Sequence, residues 1–212
     1  MANKGDFSDF GTPNDRPKSK RALLCPFTAS VLASPRFLTN LAIEPPLPTL
    51  PMPLKLGQPL PEISLKQKTD AGLVDVNLRR NVGKGKTVIL FVPLAFTGVC
   101  TDELCKVTGL LDEYKKLGAD VIAISVDSPF AQEAWAKQAG INLTLVSDFN
   151  RVALKAFKVK DTRVIPEKTG LLNVAKRSVF VADKAGNVIH SEVKRDPSSM
   201  PNFAKIKKAV EA

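Results

Sequence analysis

Histidine is almost missing from this chain: His190 stands alone among 212 residues, and cysteine is nearly as scarce, with Cys25, Cys100 and Cys105. Three thiols are too few to staple a chain of this length, which excludes a disulfide scaffold. They are also poor zinc material, because the single imidazole lies far off in sequence and five-residue spacing fits no usual zinc knuckle. Aromatics make up only 6 %, with one Trp and one Tyr, so platforms for stacking single-stranded nucleic acid are undersupplied. No apolar run approaches the ~18 residues that a membrane span needs. The net charge of +10 favours anionic surroundings, yet the Lys and Arg residues are scattered and form no block. A basic solvated surface is the reading, with neither nucleic acid nor membrane as a partner. Redox or nucleophilic chemistry at the thiols is left.

Proline is plentiful at one end. Eight of the 16 prolines (Pro13, Pro17, Pro26, Pro35, Pro45, Pro46, Pro48, Pro51) fall in residues 1–51, where no periodicity persists. The stretch "IEPPLPTLPMP" reads as an extended, semi-rigid linker, since proline fixes φ and removes donors. Residues 1–51 are expected to be a disordered extension, and residues 52–212 the one compact domain. Two further readings of the extension stand side by side. A basic cluster, the apolar run Ala22–Ala33 and small residues at Val31 and Ala33 suit an export or organellar signal. Pro26 inside that run, and Asp6, Asp9 and Asp15 ahead of it, do not. Alternatively, translation begins at Met52. The expected location is cytoplasmic unless residues 1–51 act as a targeting segment.

From Leu56 onward the pattern is regular. "EISLKQK" and "LVDVNLR" flank Asp70-Ala71-Gly72 and predict an N-terminal β-hairpin. "KTVILFVPL" and "DVIAISVD" are near-continuous apolar strands, as in a sheet covered on both faces. Between them Leu104, Val107, Leu111, Tyr114 and Leu117 share one helical face that ends at Gly118. "SPFAQEAWAKQAG" predicts a helix with Ser128 as its cap, Pro129 at its first position and Gly140 at its end. A third strand "LTLVSD", a short helix "RVALKAFKV", a hairpin "RSVFVAD" to "NVIHSEV" and a last helix from about Pro201 complete the order. Two βαβ units followed by an antiparallel hairpin and a helix describe an α/β sandwich of thioredoxin-like type, a mixed central sheet with helices on both faces.

Cys100 lies where the loop after a central strand enters a helix. Unsatisfied N–H groups and the helix dipole favour an anion there, which suits a nucleophilic thiolate. A buried structural cysteine is the bland alternative, and position alone does not choose. The neighbouring residues do. "PLAFTGVC" is Pro93-x-x-x-Thr97-x-x-Cys100 and resembles the active-site motif of the peroxiredoxins. "ISVDSPFAQEAWAKQAG", with Trp135, and "KRSVFVADKAGNVIHSEV", with Arg177, are similar to later segments of that family. The resemblance runs from about Leu56 to the C-terminus.

What it implies is a thiol peroxidase that needs no metal, haem or flavin and acts on hydrogen peroxide and small alkyl hydroperoxides. Cys100 would attack the O–O bond and become a sulfenic acid. Thr97 would direct its hydroxyl at the sulfur and the substrate, and Pro93 would shield the sulfur from water. Arg177 would supply positive charge, with Glu103 orienting it, and the Val99 and Cys100 N–H groups would hold the second peroxide oxygen. Trp135 is read as core and His190 as surface strand. Cys105 resembles the resolving cysteine of the bacterioferritin-comigratory type, which condenses with the sulfenic acid and leaves a disulfide for a thioredoxin-type reductant. Helical positions five apart lie about 8.6 Å apart at Cα and about 140° around the axis, so this disulfide requires the first helical turn to unwind. A one-cysteine peroxidase and a non-enzymatic redox sensor are the alternatives. A thiol–disulfide oxidoreductase is weakened by the lack of a Cys-x-x-Cys pair. A homodimer is implied by resemblance alone.

Overall fold

An uninterrupted apolar strand has to be buried on both faces, and β3 (Thr87–Phe91) is: all five of its residues are buried. The computed structural model describes residues 52–212. The readings of residues 1–51, including the linker, the signal-like run and Cys25, lie outside the described residues. β3 sits deep in a seven-stranded sheet of order β2-β1-β5-β4-β3-β6-β7. Its neighbours are β4 (Asp120–Ser125), parallel to it, and β6 (Ser178–Ala182), antiparallel. β5 (Thr144–Ser147) runs parallel to β4, and β7 (Val188–Val193) closes one edge by pairing antiparallel with β6. At the other edge β1 (Ser64–Thr69) and β2 (Gly72–Asn77) form the expected hairpin. Asp70 and Ala71 make its turn, and Gly72 takes φ 114°, which a side chain would resist.

Alternation along the strands sends side chains to two separate cores. Val88, Leu90 and Val92 face α1 (Gly98–Lys116), α2 (Pro129–Ala139) and α5 (Phe203–Glu211), packing with Leu104, Val107, Trp135 and Ile206. Ile89 and Phe91 face the opposite way, against Leu154 of α3 (Val152–Ala156) and against Phe157 and Phe180. The Phe91, Phe157 and Phe180 rings meet at tilted or edge-on angles, with centroids 5.0 to 6.1 Å apart. Helices thus cover both faces of a mixed sheet, the expected thioredoxin-like sandwich.

The α2 boundaries follow the sequence signals closely. Ser128 Oγ accepts from the Ala131 N–H, Pro129 opens the helix, and Gly140 ends it at φ 67°. Two details differ from the sequence reading. Leu117 was expected on the buried face of α1 but is 41 % exposed, because the helix stops at Lys116 and Gly118 turns the chain at φ 70°. A further helix, α4 (Val164–Thr169), was not foreseen. Asp161 starts it by accepting from the N–H groups of Arg163, Val164 and Ile165, and Gly170 ends it at φ 74°.

Candidate active site

The loop between β3 and α1 is held before it reaches Cys100. Val92 continues the strand by donating to Ile124 O, and Pro93, which has no N–H to give, follows it into the interior. Asp127 then accepts from the Ala95 N–H at 2.7 Å, tying the loop to the end of β4. Phe96 adopts φ 61°, a left-handed backbone that a bulky residue disfavours, and turns the chain into α1. Thr97 is the N-cap residue, but its side chain does not cap: the hydroxyl donates to Leu94 O at 3.0 Å. No hydrogen bond joins that hydroxyl to Cys100 in this state. Its lone pairs accept from no donor among the described residues.

Cys100 occupies the third position of α1 and is 1 % exposed. Residues this early in a helix have N–H groups without an intrahelical acceptor, and those of Val99 and Cys100 are two of them. The sulfur reaches a pocket of about 220 Å³ lined by Pro93, Thr97, Val99, Cys100 and Arg177. All five of these sequence-predicted residues therefore come together. The remaining walls, from Leu94, Gly98, Ile165, Thr169, Pro197 and Ser198, are mostly apolar.

Arg177 enters from the residue before β6 and is itself 1 % exposed. Its Nη2 lies 3.4 Å from Cys100 Sγ. Nε and Nη2 also donate to Pro197 O at 3.0 and 2.9 Å, and Nη1 donates to Glu103 Oε2. A planar fork gripped from three sides has little freedom, so one positive charge is fixed beside the sulfur. Burial works against that charge, but Glu103 and Cys100 outweigh it and raise Arg177 above its ordinary value. Arg177 stays charged.

Glu103 is fully buried, one helical turn after Cys100, and its Oε1 has no hydrogen-bond partner among the described residues. Burial pushes its carboxyl up to about 7, against the pull of Arg177. Its proton is thus held more tightly in the folded chain than in the unfolded one, where the ordinary value is 4.5. This group's contribution is complete below pH 4.5 and is lost as pH rises through about 7. Urea melts at pH 5 and pH 8 should show wild type losing up to about 3 kcal/mol more than Glu103→Gln, which cannot ionise. Equal losses in the two proteins would mean that the carboxyl titrates normally.

Cys105 is exposed, and its Sγ donates to Ala139 O in α2 at 3.4 Å. α1 runs unbroken through both cysteines, which are free. Trp135 is core, as read from sequence, although its Nε1 has a polar task in donating to Thr101 Oγ1 at 3.0 Å. His190 lies on β7, 3.8 Å from Glu192, and takes no part in the pocket. The Pro197 carbonyl was missed, and no signal could have revealed it, since any residue carries one. The α4 wall was legible in principle: Asp161 at its start and Gly170 at its end are ordinary boundary signals, obscured by Pro166 between them.

A thioredoxin-like sheet with a buried cysteine at a helix start, beside a pinned arginine, defines the peroxiredoxin class of fold and site. The AhpC/TSA family model matches residues 56–191, and the chain belongs to this family, that of the peroxiredoxins. It is 31 % identical over 131 residues to the chloroplastic 2-Cys peroxiredoxin of Hordeum vulgare, covering 58 % of this chain and 59 % of that protein. To alkyl hydroperoxide reductase E of Mycobacterium bovis it is 34 % identical over 122 residues, covering 57 % of this chain and 74 % of that protein. Among solved structures, reduced Prx3 of Vibrio vulnificus in complex with hydrogen peroxide matches with a TM-score of 0.63 at 27 % identity. That match covers 74 % of this chain and 99 % of the other. The matched stretch spans about half the length of the chloroplastic relatives, between 46 % and 59 %. No helix among the described residues is long and apolar enough to cross a membrane.

Proposed function

We propose that the chain is a thiol-dependent peroxidase that reduces hydrogen peroxide and small alkyl hydroperoxides through Cys100. The carrying observation is the contact between Arg177 Nη2 and the buried Cys100 Sγ at the floor of the pocket. A cation held there by Glu103 and Pro197 stands beside the sulfur and needs no rearrangement when substrate arrives. The sulfur attacks one peroxide oxygen; an S–O bond forms as the O–O bond breaks, and the departing oxygen leaves as water or an alcohol after taking a proton. Arg177 and the Val99 and Cys100 N–H groups face the charge that develops. Thr97 accepts a hydrogen bond from the peroxide proton, the role its lone pairs are free to fill. Pro93 closes the pocket behind the sulfur. The names of the relatives, which include a hydroperoxide reductase and a protein solved with hydrogen peroxide, support this reading.

Cys105 then attacks the sulfenic acid sulfur, expelling water and leaving a Cys100–Cys105 disulfide. A thioredoxin-type dithiol returns both thiols by taking up the oxidising equivalents. The cycle requires a compartment that supplies such a reductant, and the cytoplasm is the simplest. A homodimer belongs to the same proposal; the exposed rings of Phe96, Phe130 and Phe149 supply apolar surface for it. The one-cysteine alternative draws on a specific observation: Cys105 is exposed and engaged with Ala139 O, outside the pocket residues.

Steady-state consumption of hydrogen peroxide and of cumene hydroperoxide, with thioredoxin and its reductase as electron source, tests the proposal. Repeated turnover is expected with both. Oxidation of Cys100 without turnover by any dithiol would instead mean a redox sensor. Thr97→Val keeps the shape of the side chain but removes its hydroxyl, and it should lower kcat/KM for peroxide roughly a hundredfold. A fall of less than twofold would remove Thr97 from the site.

A further inference from the structure

Three hydrogen bonds meet at Thr101, next to the reactive cysteine, and two of them are made by its hydroxyl. Thr101 Oγ1 donates to Thr97 O at 3.0 Å, beside the Thr101 N–H, which donates to the same carbonyl at 2.9 Å. The same hydroxyl accepts from the Trp135 Nε1–H at 3.0 Å. Its one donor is therefore spent on the entry to α1, and one of its two acceptor sites on α2. Trp135 is 1 % exposed and cannot swing away, and the Phe96 ring packs on it at 6.3 Å between centroids. One turn further on, Cys105 Sγ meets the last residue of the same α2. The opening turns of α1 are thus fastened to α2 at Thr101 and again at Cys105.

We propose that Thr101 is a positioning residue which, through Trp135, latches the first turn of α1 and sets how fast Cys105 reaches an oxidised Cys100. This rests on the reading of Cys105 as the resolving thiol. The disulfide needs Cα atoms within about 7 Å, and five helical residues hold them farther apart. Thr101 lies between the two cysteines, so any unwinding that joins them pulls it out of the helix. All three bonds must break first. Until they do, the sulfenic acid has one other fate: a second peroxide molecule oxidises it to the sulfinic acid, itself leaving as water or an alcohol. The latch thus divides Cys100 between a recyclable disulfide and a dead-end sulfinate. A tight latch preserves the reactive geometry and slows resolution; a loose one does the reverse.

Full-length wild type, Thr101→Val, Thr101→Ser and Trp135→Phe test this by two readouts. The first is amide hydrogen exchange across residues 98–104 in the reduced protein, which reports opening of the turn whatever Cys105 does. The second is rapid-quench mass spectrometry after hydrogen peroxide, which separates disulfide from sulfinate. Trp135→Phe, which loses one internal hydrogen bond, should exchange and form disulfide roughly five- to tenfold faster, and Thr101→Val, which loses two, at least as much faster. Their sulfinate share at excess peroxide should fall. Thr101→Ser keeps the hydroxyl and should match wild type. General damage to the fold would lower both products instead of shifting the ratio between them. Unchanged exchange in Thr101→Val overturns the latch. If exchange responds but wild type forms no Cys100–Cys105 disulfide, the resolving role falls and takes the kinetic half of the proposal with it.

Discussion

Cys100→Ser is expected to abolish the proposed peroxide reduction, by at least about four orders of magnitude, while the protein still folds. An alcohol is not ionised near neutral pH, and a serine oxygen cannot store the oxidising equivalents as a sulfenic acid does. The bland alternative, that Cys100 is only a core residue, makes a different forecast. Its sulfur is buried among Leu104, Val107 and their neighbours, where a hydroxyl costs about 1 to 3 kcal/mol when unpaired. In the variant, however, Arg177 Nη2 is already in place to donate to the new oxygen. Little loss of stability is therefore expected, and activity and thermal melting should part company. A variant that is unfolded, or that retains activity, would contradict the assignment of Cys100 as nucleophile.

Arg177→Met should lower kcat/KM for peroxide by roughly 10²- to 10³-fold, the scale for removing one fixed donor from a developing charge. It should also cost about 1 to 3 kcal/mol of stability, because it leaves the buried Glu103 carboxyl and the Pro197 carbonyl without their donor. Arg177→Lys does not rescue either loss, since a single ammonium cannot meet Cys100, Glu103 and the Pro197 carbonyl at once. The double variant Arg177→Met with Glu103→Leu separates the two effects. Replacing both members of a buried pair by apolar side chains restores much of the stability and none of the rate. If the double variant recovered activity, the guanidinium would be a structural element alone. Urea melts and peroxide kinetics on the same four proteins decide it.

The parts of this site that were legible in the sequence are those packed into one short stretch. Pro93, Thr97, Val99 and Cys100 follow a buried strand and open a helix, so local signals place them correctly relative to one another. Arg177 is a different case. It is 77 positions from Cys100, and its place followed from a family resemblance; the pairing of β3 with β6 is what brings it in. The pocket walls from Pro197 and α4 were silent because their contributions are a carbonyl oxygen and a surface shape, which do not depend on a telling residue type. Leu117 shows the opposite failure, a correct helical period carried one residue past the end of its helix. Trp135 was read rightly as core, yet its indole N–H also ties α2 to Thr101, a contact between helices that no spacing rule predicts.

The most direct measurement is the intact mass of the reduced protein after one equivalent of hydrogen peroxide, with Cys105→Ser beside wild type. A loss of about 2 Da in wild type and a gain of about 16 Da in Cys105→Ser are expected, as the disulfide and the stranded sulfenic acid require. A gain of about 16 to 32 Da in wild type would contradict the local disulfide and leave a one-cysteine enzyme. No rapid change in either protein would contradict the peroxidase itself.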